Sequence, residues 1–270
     1  MKKFLLLLIF IFLPAMVSAA SSSLAVPFIP ELPDGKIIHP WIDGCEEASI
    51  AMVDQYYQGI TSTTRSEAKK IMQNYFNIED KIFGSNANTD AQQTAGLINE
   101  YSKYFESQII KNPTLDQIKQ QISGGMPVIA LVNGYNLNNP RIPFARYGSY
   151  YHMIVIKGFD DAKQEFITHD NGDYEKGVDL RYKYDTIMGA LHDYNHKTKK
   201  TDGTPVALFS MQRMLVKTAA SNRIYLIRDN QKHHIVSPDV FKNHSWKWSL
   251  VQVVSKDWLD KFPAGEAITK

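Results

Sequence analysis

A chain of 270 residues with 30 lysines and arginines against 28 aspartates and glutamates carries a formal charge of only +2. So even a balance gives no electrostatic basis for nucleic acid or an anionic membrane surface as a partner. At 44% hydrophobic and 21% charged, the composition is that of a globular enzyme, long enough for one sizeable core and a small appendage.

Met1, Lys2 and Lys3 precede an apolar run over 4–13, which Pro14 breaks. Val17, Ser18 and Ala19 then supply small residues where a signal peptidase cuts. The run is too short to cross a bilayer comfortably. Residues 1–19 are therefore expected to be a cleaved signal peptide. The mature chain is expected to be secreted, periplasmic or at the cell surface, with no membrane contact after cleavage. Structural cysteines of exported proteins come in pairs, so the single cysteine, Cys45, reads as either reactive or intermolecularly paired.

Ser21, Ser22 and Ser23 read as a polar linker, and 26–30 as an extended segment held by Pro27 and Pro30. A helix is expected to start at Cys45, capped by Asp43 after a turn at Gly44, with Ala48, Ala51, Met52 and Tyr56 on its inner face. A thiol in a first helical turn feels the positive end of the helix dipole, which favours thiolate; Glu46 and Glu47 oppose it. The dipole alone makes no nucleophile, so a basic partner is needed. Further helices are expected over 66–76, 90–105 and 114–122. A strand over 127–132, buried on both faces, comes next. After a loop at 138–143, strands over 150–156 and 165–170 flank a break at 158–161.

If the turn of that hairpin is centred on residue 161, His152 faces Asp170 within reach of a histidine–carboxylate hydrogen bond. A slip of one residue sends one of the two to the opposite face. The competing reading makes His152 a satisfied core histidine and Asp170 a turn cap beside Asn171 and Gly172. A helix over 185–192 and a last core strand over 205–209 complete a first unit spanning 20–216. A linker at 217–222 leads to a second unit at 220–270, with short strands at 223–227 and 233–236 and a helix capped by Ser237. Its fifty or so residues are few for an independent core.

A thiol at a helix start, an imidazole on a strand and an acid on the next strand form a thiol-nucleophile arrangement. The histidine takes the thiol proton and the acid orients the ring. With an imidazolium beside it, the thiol pKa is expected to fall to roughly 3.5–7.5, outweighing the neighbouring carboxylates. His192 and His196 have a helical metal-ligand spacing but no third ligand, and His233 and His234 point apart in a strand, so neither a metal nor another cofactor is expected.

These residues also resemble a known family. VPF at 26–28, Trp41, GCEEAS at 44–49, GGMPVI at 124–129, YHMIVIKG at 151–158 and FITHDNG at 166–172 resemble the bacteriocin-processing (double-glycine) cysteine peptidase-like family, in its stand-alone exported form. The resemblance covers roughly 26–215. It implies an α+β, papain-like fold, N-terminal helices packed on an antiparallel sheet, with a small C-terminal α/β appendage. It also implies Cys45 as nucleophile, His152 as general base and Asp170 as the orienting residue. The family's glutamine, which helps hold the oxyanion, is absent: VPF puts Glu31 there, while counting back from Cys45 gives His39. Transporter-fused members cut after Gly-Gly in peptide leaders; this chain has no ATP-binding motif, so that substrate does not carry over.

The expected function is hydrolysis of peptide or amide bonds, with a peptide or protein as substrate. The alternatives are a binding module that kept the fold without activity, and a thiol acyltransferase or amidase acting on wall peptides. The tail also resembles a module appended to exported bacterial proteins, so residues 220–270 are a candidate cell-wall or surface contact beside a purely stabilising role.

Overall fold

The computed structural model describes residues 20–139, 151–172 and 176–270; the expected signal peptide and residues 140–143 of the expected loop lie outside them. The first described element is a correction. Ser21–Ser23, read as a linker, is strand β1, drawn into a ladder by pairing with 158–160 rather than by any propensity of serine.

Helix α1 (Cys45–Tyr57) starts at the expected cysteine, but Asp43 does not cap it. Trp41–Asp43 is a 3-10 turn, Gly44 is the N-cap, and Asp43 is turned aside to His39. A Cβ on Gly44 would lie 2.9 Å from Met72 Cε and 3.0 Å from the Trp41 carbonyl, so only glycine packs here. Helix α2 (Arg65–Phe83) begins at a capping box of Thr64 and Glu67 and runs past the expected end to Gly84, whose φ of 77° stops it. Helix α3 (Ala91–Tyr101) has the same device in Asp90 and Gln93, and ends early enough for Phe105–Lys111 to form strand β2. Helix α4 (Leu115–Ser123) is boxed by Thr114 and Gln117.

Strands β3 (Val128–Asn133), β4 (Tyr151–Asp160) and β5 (Glu165–His169) fall where hydrophobic patterning puts them. Strand β6 (Leu180–Lys183), unseen in the sequence, leads into helix α5 (Tyr184–Ala190), and β7 (Val206–Gln212) comes after it. The sheet order is β2-β7-β3-β4-β5-β6 with β1 on β4, and every one of these pairings is antiparallel. Alternation along the strands divides the core. Ile129, Leu131, Met153 and Val155 pack with α1, α2 and α3, while Val128, Ala130, Ile154 and Ile156 pack with α4 and α5. The α+β class read from the sequence is the class observed. Helix α1 is sunk in the first of these layers, with every residue from Cys45 to Gln55 buried.

The β4–β5 hairpin departs from its expected register. Its turn lies later in the chain, so that Phe159 pairs with Phe166 and Gly158 with Ile167. Continued unbroken, that ladder would send His152 and Asp170 to opposite faces. A β-bulge between Ile156 and Gly158 inserts Lys157, after which Ile156 pairs with Thr168 and Val155 with His169. The extra residue returns His152 and Asp170 to one face, two positions apart along it. Gly158 is needed at the bulge, because a Cβ there would meet the Ser22 carbonyl at 2.5 Å. From β1 the chain runs on beside the hairpin: Leu24 N–H donates to Lys157 O, His169 Nε2 bonds Val26 O, and Glu31 N–H donates to Asn171 O.

A second sheet has the order β10-β9-β8-β11, from β8 (Met214–Thr218), β9 (Ile224–Arg228), β10 (Gln231–Ile235) and β11 (Gln252–Val254). Strand β8 comes from residues read as the end of the first unit and the start of the linker. Helix α6 (Pro238–Asn243) is capped by Ser237 as expected, and α7 (Lys256–Leu259) by Ser255. Leu215, Leu226, Phe241, Trp246 and Leu250 form the core here. Glu106 of β2 ties this sheet to the first, through Arg228 at 2.5 Å and Trp246 Nε1 at 3.3 Å. Among the described residues no helix is long and apolar enough to cross a membrane.

Candidate active site

The β4–β5 ladder ends at Val155 and His169, and beyond that pair the first turn of α1 meets Asn171, just past β5. His152 Nε2 lies 2.8 Å from Asp170 Oδ1. The other carboxylate oxygen, Oδ2, accepts from Tyr182 OH at 2.7 Å. With Asp170 accepting, the His152 proton sits on Nε2, which leaves Nδ1 on the side of Glu31. Cys45 Sγ, a Glu31 carboxyl oxygen and a His152 nitrogen all lie within 4.8 Å of one another. Glu31 Oε2 is 3.9 Å from His152 Nδ1. All four side chains are enclosed: Cys45 is 5% exposed, Glu31 and His152 1%, and Asp170 0%.

Of the two candidates for the missing glutamine, Glu31 is brought to the site and His39 is not. The His39 side chain is 81% exposed and bonds Asp43 at 3.2 Å. Glu31 is drawn in by the backbone bond from its N–H to Asn171 O, and its Oε1 has no hydrogen-bond partner among the described residues. Burial first, then the charges of Asp170, Glu46 and Asp43, holds the Glu31 carboxyl well above the ordinary range. In its protonated form, which burial favours, it has an O–H to donate.

The thiol corrects the sequence reading. Cys45 Sγ donates to Glu46 Oε2 at 2.9 Å, and Glu46 Oε1 is held by Thr89 N–H at 2.9 Å. Burial first, then the charges of Glu46 and Glu31, pushes the Cys45 thiol well above its ordinary range instead of down. Neither the helix dipole nor the nearby imidazole outweighs them. The resting sulfur is a thiol, and it becomes a thiolate only by giving up its proton as it reacts.

Three supporting residues escaped the sequence reading. Tyr182 anchors Asp170 from β6. Asn171 Nδ2 donates to Cys45 O and to Ser49 Oγ, both at 2.9 Å, and so fixes the start of α1 to the end of β5. Thr89 holds Glu46. Asn171 sits in the FITHDNG block, yet a motif does not say where a side chain reaches, and Tyr182 lies outside every block. Of the metal candidates set aside in the sequence, His192 bonds Gly203 O and His196 bonds Gln93 and Asp90. Both lie past the end of α5, so no helical turn aligns them.

A family model described as Peptidase_C39 like family matches residues 23–201, a stretch that contains Glu31, Cys45, His152 and Asp170. A solved structure of a candidate C39-like peptidase from Bacillus anthracis aligns at 15% identity, covering 72% of this chain and 99% of its own, with a TM-score of 0.45. No curated protein matches the chain.

Proposed function

The chain belongs to the Peptidase_C39-like family, and on that premise we propose that it is an exported cysteine hydrolase of papain-like design, cleaving peptide or amide bonds through Cys45, His152 and Asp170. The observation that carries this reading is the imidazole gripped by Asp170 on one nitrogen, with Cys45 and Glu31 grouped at the other. His152 Nδ1 takes the Cys45 proton as the sulfur attacks the carbonyl carbon, and the imidazolium that forms is stabilised by Asp170. The carbonyl oxygen becomes an oxyanion. Donors for it are the Cys45 backbone N–H, which has no acceptor inside its own helix, and the neutral Glu31 carboxyl. His152 then returns its proton to the leaving amine. Water, activated by the same ring, attacks the acyl-sulfur carbon and frees the acid and the thiol. Export rests on the amino-terminal signal pattern, and the bacteriocin-processing likeness rests on the sequence blocks; neither defines the substrate.

Glu31 thus replaces a neutral amide by a neutral acid. Loss of that donor is expected to cost about 10²–10³ in kcat for Glu31→Ala, and less for Glu31→Gln, which restores an amide donor.

One observation favours a second reading, a binding module without turnover: the thiol is enclosed and bonded to Glu46. Incubation of the full chain with a random peptide library separates the two. Cleavage by the wild type that vanishes in Cys45→Ala supports the hydrolase. Peptide retained uncut by both proteins supports the module. Transfer of the acyl group to an added amine in preference to water would point to the acyltransferase.

A further inference from the structure

We infer that Cys45, His152 and Glu31 form a three-ligand site for Zn²⁺, in which the ion seals the thiol. The donor atoms are a sulfur, a ring nitrogen and a carboxyl oxygen, mutually within 4.8 Å. A soft thiolate with an imidazole suits zinc, whereas calcium and magnesium take oxygen ligands. Tetrahedral zinc, with bonds of about 2.0–2.3 Å, sets its ligands roughly 3.3–3.8 Å apart. His152 Nδ1 and Glu31 Oε2, at 3.9 Å, are already close to such an edge.

Two independent features support the site. Glu31 is 1% exposed and its Oε1 has no partner among the described residues, which leaves a buried polar group of this cluster unsatisfied. The outer arrangement also fits. A zinc-bound histidine normally gives its other N–H to a carboxylate, and His152 does so to Asp170, itself held by Tyr182. Zn²⁺ coordination replaces the thiol proton of Cys45 and the carboxyl proton of Glu31, both released to solvent, while His152 keeps its Nε2 proton. The thiol gives up its bond to Glu46, whose Oε1 stays held by Thr89 N–H. Three protein ligands leave a fourth position for water. Silencing of hydrolysis by the bound ion is a consequence that rests on the proposed function; the site itself does not.

Cobalt(II) titration of the full chain tests this without any substrate. One Co²⁺ per chain is expected, with a thiolate-to-cobalt charge-transfer absorption that Zn²⁺ displaces. Saturating Zn²⁺ should slow alkylation of Cys45 by iodoacetamide at least about tenfold. Glu31→Gln should weaken Co²⁺ binding at least about tenfold, and Asp170→Asn about 10–100-fold. Absence of the charge-transfer absorption in the wild type at saturating Co²⁺ would overturn the proposal, whatever the variants do. So would binding that Glu31→Gln leaves unchanged, since the ion would then sit elsewhere. The wild-type spectrum keeps the test decisive even where a variant fails to fold, and it stands even where the chain cleaves no peptide.

Discussion

Two groups of buried acids share helix α1, and they behave differently. At its first turn, Glu31, Glu46 and Asp170 surround a thiol and an imidazole, and Asp170 and Glu46 each accept defined hydrogen bonds. In the same first turn, the next residue, Glu47, meets Glu79 of α2 instead. Both are buried, and neither oxygen of Glu47 has a hydrogen-bond donor among the described residues. Burial raises Glu31 and Glu46 in the first group and Glu47 and Glu79 in the second, but the neighbours decide the consequence. In the first group a raised acid lies beside a nucleophile; in the second the charge of Glu79 adds to burial in raising Glu47. Burial supplies neutral acids; only the accompanying base turns them to chemistry.

The largest expected effect is on the first group. His152→Ala should lower kcat by at least about 10⁴-fold, because the proposed general base is lost, while the fold stays intact by circular dichroism. A loss under tenfold would make the imidazole structural.

The second group predicts an effect on stability rather than turnover. Burial, and then the charge of Glu46, raises the Glu79 carboxyl to about 8, and burial together with the charge of Glu79 holds Glu47 well above the ordinary range. A raised folded-state pKa means that the native state holds the proton more tightly than the unfolded chain. The stability it contributes is full below the ordinary carboxyl pKa of about 4.3, and it is lost as pH rises through about 8. Melting temperature should therefore fall over that window, and Glu79→Gln should flatten the fall. An equally steep fall in the variant would remove the pair from the explanation.

Two smaller effects sharpen the contrast. Glu46→Gln removes a negative neighbour from Cys45, so alkylation at neutral pH should speed up several-fold. Tyr182→Phe takes one donor from Asp170, worth about 0.5–1.5 kcal/mol, and should lower kcat by a factor of roughly 2–12 with little change in KM.

The elements of the site were legible in the sequence, and its details were not. Cys45 opens a helix, His152 lies on β4 and Asp170 just past β5, because helical apolar spacing and apolar runs are local signals. Their meeting, however, was read from a symmetric turn at 161, whereas it is the insertion of Lys157 that aligns them, and no local pattern announces a bulge. Glu31 and His39 could not be separated, since the choice depends on a backbone bond to Asn171 across the fold. The thiol's charge state was misread because an imidazolium was expected to outweigh the neighbouring carboxylates, whereas the buried thiol hydrogen-bonds Glu46 directly and is pushed up. Strand β2 was partly absorbed into helix α3 because FESQIIK, half exposed at an edge, lacks clean alternation.

The most direct test of the account is the rate at which iodoacetamide alkylates Cys45, measured against pH in the wild type and in His152→Ala. Proton transfer from Cys45 to His152 predicts a rate that rises with pH and falls at least about tenfold when the imidazole is removed. Equal rates in the two proteins across the pH range would contradict it.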